Sequence, residues 1–102
     1  MSIADNPVGS FGTGRQTVKE GGKAVQLSTT TTGCNWVQVT AETDNTGIIT
    51  IGGKNVVAKL EERQGLPLEK GDTATLPVGD LAQVYIDTTV NGDGVTFLYG
   101  VA

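Results

Sequence analysis

The chain has 102 residues, 37% hydrophobic and 18% charged with 15 glycines: enough for one packed domain and too short for two, which excludes most multi-domain enzymes. Histidine is absent, Cys34 is the one cysteine, and seven Lys plus Arg against 11 Asp plus Glu leave a formal charge of −4. The commonest general base and metal ligand is therefore missing, no internal disulfide or Cys₂ metal site forms, and the charge has the wrong sign for wrapping a phosphate backbone.

Fifteen Thr and 12 Val lean toward β-structure, because branched side chains suit a pleated surface and lose rotamer freedom on a helix. Met1 to Asp5 offers neither a basic n-region nor an apolar h-region, and no stretch approaches the roughly 20 apolar residues of a membrane span. Neither secretion by that route nor membrane insertion is expected, and a lone cysteine suits synthesis in a reducing cytoplasm.

Residues 1–14 end in Gly9-Ser10-Phe11-Gly12-Thr13-Gly14 and offer, beyond Ile3, only Val8 and Phe11 as sizeable apolar groups. They read as a flexible arm, with residues 15–102 as a single β domain. Eight β-patterned runs follow, separated by turn signals. Thr17-Val18 begins the series, and Gly21-Gly22 turns into Lys23 to Ser28. Asn35 to Glu42 carries the clearest alternation, with Val37, Val39 and Ala41 on one face and Trp36, Gln38 and Thr40 on the other. Asp44 to Gly47 turns into Ile48 to Ile51, and Gly52 to Asn55 reads as a hairpin into Val56-Val57-Ala58. Lys59 to Gln64 reads as a helical turn or an irregular crossover. Pro67 and Pro77 bracket a strand at Asp72 to Leu76, Leu81 to Asp87 is the seventh run, and Asn91 to Gly94 turns into Val95 to Tyr99. Short strands with no βαβ-length helix predict an all-β antiparallel sandwich, jelly-roll type ahead of immunoglobulin-like.

No catalytic, cofactor or metal site can be nominated. Lys54 is followed by Asn55 and another β-run, unlike a phosphate loop. Asp87, Asn91 and Asp93 lack the distal Glu of a calcium loop and suit a tight turn instead. With histidine absent, Cys34 has no imidazole to activate it and reads as a small hydrophobe. Alternation points Trp36 and Tyr85 outward, and Phe97 and Tyr99 inward with Val95.

Asn45-Thr46-Gly47 through Ile51-Gly52-Gly53, then Gly65-Leu66-Pro67-Leu68, Lys70-Gly71-Asp72, Leu76-Pro77-Val78 and Leu81 with Val84-Tyr85-Ile86, resemble small virion proteins of tailed bacteriophages. The resemblance runs from Lys23 to Val101 as a pattern of strands and turns. It implies a structural protein of the particle, most like a capsid decoration (cement) protein: a homotrimer that binds the major capsid protein on the outer surface of the head. Tail or fibre proteins share the pattern, and a carbohydrate-binding host-adhesion module is the alternative. On the decoration reading, Val8 and Phe11 are the candidate capsid contacts, and Trp36 and Tyr85 the candidate subunit interface or partner-binding residues. No cofactor, nucleic acid or membrane partner is expected.

Overall fold

The alternation at Asn35 to Glu42 becomes a strand whose Val37, Val39 and Ala41 are fully buried while Trp36 and Gln38 face out. A computed structural model describes residues 10–101, and within them the fold is all-β. Its strands are β1 (Ser10–Thr17), β2 (Val25–Gln26), β3 (Trp36–Ala41), β4 (Ile49–Gly52), β5 (Leu66–Leu68), β6 (Thr73–Leu76), β7 (Tyr85–Thr88) and β8 (Gly94–Val101). Two 3₁₀ turns lie at Leu60–Glu62 and Leu81–Gln83.

A front sheet has the order β1-β8-β3-β6 and a back sheet β2-β7-β4-β5, all neighbours antiparallel. Their facing sides form one core: Val37, Val39, Ala41, Val95 and Phe97 from the front meet Ile49, Ile51, Leu68 and Ile86 from the back. The two sheets thus make a sandwich. Pairing is nested, with β1 on β8, β2 on β7, β3 on β6 and β4 on β5.

The structure corrects the expected boundaries in four places. Ser10 to Gly14 belong to β1, paired in full with β8, and so are not part of an arm. Their glycine content has a packing cause: Gly12 stands opposite Tyr99 and Gly14 opposite Phe97. A Cβ added at either would lie 2.6 or 2.4 Å from the ring, so the neighbouring strand supplies the side chains that β1 lacks. Val56 to Ala58 is no strand, since only Val57 makes a bridge, to Gln64. The missing strand is β5, where Pro67 sits mid-strand at the edge of the back sheet, and a residue without an N–H is harmless there. Leu81 to Gln83 is a 3₁₀ turn, capped by the Asp80 side chain, and the strand begins only at Tyr85.

The segment from Gly53 to Gly65 forms a flap against the outer face of the back sheet. Thr50 and Asp87, opposite each other on that face, are 0% and 1% exposed, and Val56 and Ala58 are buried apart from the main core. At Gly65 (φ 120°) an added Cβ would meet the Ile51 carbonyl at 2.5 Å, which makes glycine necessary where the flap returns. The Thr50 hydroxyl has no hydrogen-bond partner among the described residues. Thr50→Val, which keeps the shape and removes the stranded hydroxyl, is expected to raise stability by about 1 kcal/mol in chemical denaturation.

Candidate functional site

The strands themselves carry little charge. Arg15 is the one charged residue in the strands of the front sheet, and Asp87 the one in those of the back sheet. Carboxylates instead pin loops. Asp87 accepts from the backbone N–H groups of Gly22 and Ala58 at 2.8 and 2.9 Å, and Asp93 from those of Thr46 and Gly47 at 3.1 and 2.7 Å. Asp80 accepts from the N–H groups of Thr32 and Ala82, and these bonds hold its carboxyl below the usual carboxylate range. Asn45 bonds both the N–H and the carbonyl of Gly94, standing in for a strand partner. The acidic residues of the turn that resembled a calcium loop are therefore occupied by amide donors. Among the described residues, no group of three or more His, Cys, Asp or Glu could hold a metal ion.

Cys34 is buried, its thiol donating to the Val78 carbonyl at 3.1 Å. Burial, then the charge of Asp80, pushes that thiol up, away from the reactive thiolate.

The candidate surface is the outer face of the front sheet, built in rows by register. Phe11, Gly100 and Trp36 form the first row, and Thr13, Leu98, Gln38 and Thr75 the second. Arg15, Thr96, Thr40 and Thr73 form the third. Phe11 is 71% exposed and Trp36 37%. The Trp36 indole leans over Gly100, filling the space a Cβ there would take, so part of its area covers the sheet's own glycine. Hydroxyls and an amide tie neighbouring strands together within the second and third rows: Thr40 Oγ1 lies 2.8 Å from Thr73 Oγ1, and Gln38 Nε2 donates to Thr75 Oγ1 at 3.5 Å.

Beyond the aromatics the face dips into a hollow of about 460 Å³ lined by Thr13, Arg15, Gln38, Thr40, Thr96 and Leu98. At its edge Arg15 Nε donates to both oxygens of Glu42, at 3.0 and 3.1 Å. The Arg15 side chain is largely exposed and that of Glu42 largely buried, so Glu42 acts as an anchor for a projecting guanidinium.

The four predicted site residues separate as follows. Phe11 and Trp36, expected in two different roles, share one row. Tyr85 stands on the opposite outer face, where it is half-buried opposite Gly52 and Gln26. Val8 lies outside the described residues. Sequence reasoning missed the hollow and Leu60, which is 71% exposed on the 3₁₀ turn of the flap. Its helix-friendly neighbours gave no sign that Leu60 would face solvent. Comparison of the chain with family models, curated proteins and solved structures found no match.

Proposed function

We propose that the protein is a structural component of a tailed-phage particle, a decoration or cement protein that binds the major capsid protein on the outer surface of the head as a homotrimer. The observation that carries this reading is the placement of the outward aromatics. Trp36 leaves the front sheet and Tyr85 the back sheet, each just after one of two segments, 32–34 and 79–81, that are hydrogen-bonded to each other. Both aromatics thus sit at one end of the sandwich on opposite faces. A ring of identical chains needs two different patches per copy, one meeting the other on its neighbour.

Further support comes from the nested strand pairing, which is what a long hairpin rolled into two sheets produces and which favours the jelly-roll reading over the immunoglobulin-like one. Phe11, exposed in the same row as Trp36, is the candidate shell contact at that end. Three weak contacts carried by one trimer act together at high effective concentration, so the shell is bound by avidity. The reading assigns the protein no catalytic role.

Size-exclusion chromatography with light scattering is expected to give a trimer at micromolar concentration, and the trimer to co-sediment with purified expanded shells to a fixed stoichiometry. Phe11→Ala is expected to weaken shell binding at least 10-fold and leave the trimer intact. Absence of saturable binding to shells overturns the reading. The exposed indole beside the amide of Gln38 and the hydroxyl of Thr75 favours a second reading, carbohydrate binding. It calls for glycan-dependent quenching of Trp36 fluorescence that Trp36→Ala abolishes.

A further inference from the structure

Resting on the trimer reading, we infer that the hollow on the front sheet is the socket for the flap of a second copy of this chain, with Leu60 as the inserted side chain. Leu60 and Phe11 are the two most exposed large apolar side chains among the described residues, and none of the 3₁₀ turn Leu60–Glu62 is buried. A single exposed leucine is ordinary on a protein surface, and Leu60 gains meaning only from a complementary socket. The flap beneath it is held to the back sheet by Asp87, which accepts from the Ala58 N–H, and is braced within itself by the Val57–Gln64 bridge and by Arg63 Nε donating to the Ala58 carbonyl. The hollow lies on the other face of the sandwich, with Leu98 half-buried in its floor.

Charge selects the occupant. Each chain carries −4, so copies repel except through neutral or complementary surfaces. In the hollow, the two oxygens of Glu42 hold only Arg15 Nε, leaving both Nη groups without a partner among the described residues. Beside Leu60 stands Glu61, which has no ion-pair partner among the described residues, while Glu62 takes Lys59 at 3.6 Å. Insertion of Leu60 brings Glu61 to the open side of the Arg15 guanidinium, where a second carboxylate can be accepted in a fork.

Height agrees as well. Leu60 borders a depression shared with Thr88 and Asn91, at the end of the back sheet that leads into the turn before Gly94. Arg15 lies two residues from Thr17, which pairs with Gly94. Rotation about an axis along the strands preserves that level. A side-by-side ring therefore brings Leu60 to the hollow at one end as Trp36 meets Tyr85 at the other.

The test is a cysteine pair, Leu60→Cys with Thr96→Cys, on the full chain under mild oxidation. A covalent trimer on a non-reducing gel is expected from the double variant and from neither single variant. Leu60→Asp is expected to weaken trimer assembly at least 10-fold in light scattering, and Glu61→Gln to weaken it several-fold with less loss of assembly on adding salt than the native chain. A native trimer that Leu60→Asp leaves intact and the cysteine pair fails to cross-link overturns the socket and spares the trimer. A native chain that is monomeric overturns both.

Discussion

A chain carrying Gly14→Ala is expected to be less stable than the native protein by about 2–3 kcal/mol, the upper range for overpacking a core. The added methyl would lie 2.4 Å from Phe97 Cζ and within 3.0 Å of two further ring atoms. The Phe97 ring is 9% exposed and part of the main core, with Tyr99 at 6.3 Å between centroids, so it cannot swing aside without disturbing the interior. Gly100→Ala is the control. Its methyl would approach the Trp36 indole just as closely, at 2.4 Å, but that indole lies on the outer face and is 37% exposed. It can turn into solvent, and the loss is expected to be about 1 kcal/mol or less. Urea denaturation of the two variants decides the point: a loss at Gly14 no larger than at Gly100 would falsify the claim that β1 borrows its inner side chains from β8.

Asp87→Ala is expected to lower stability by about 3 kcal/mol, because it strands two backbone donors at once. The carboxylate is 1% exposed and bridges the Gly22 and Ala58 amides, which belong to the turn after β1 and to the flap. Asp87→Asn keeps one acceptor and sets an NH₂ against the other amide, so an intermediate loss is expected. Hydrogen exchange localises the effect: Gly22 and Ala58 amides should exchange faster in Asp87→Ala while β3 and β8 amides follow only the global change. Unaltered exchange at both sites would show that the carboxylate is no pin.

Much of the fold could be read from alternation. Val37, Val39 and Ala41 lie inward and Trp36 outward as the period of two requires, because β3 sits at the centre of a sheet with one face buried and the other open. The reading failed where a neighbour supplied what the local pattern lacked. Ser10 to Gly14 looked like a leader because glycines carry no pattern, yet Tyr99 and Phe97 give that strand its inner surface. Asp87 fell on an outer face by alternation and is buried because the flap lies over it.

The candidate surface divides the same way. That Trp36 and Tyr85 point away from the core follows from their neighbours in sequence; that they occupy opposite faces depends on which sheet each strand joins. Local periodicity says nothing about strand order, since β3 and β7 would alternate identically in either sheet.

Taken by itself, the sequence determined the class of fold, the inward residues of the central strands and the absence of histidine, since composition and side-chain period are local properties. The tertiary structure alone decided that every aromatic side chain stands opposite a glycine: Phe11 and Trp36 at Gly100, Tyr99 at Gly12, Phe97 at Gly14 and Tyr85 at Gly52. It likewise decided where the hollow and Leu60 lie. Those pairings join residues far apart along the chain, and register between strands is set by the closing of the whole sandwich.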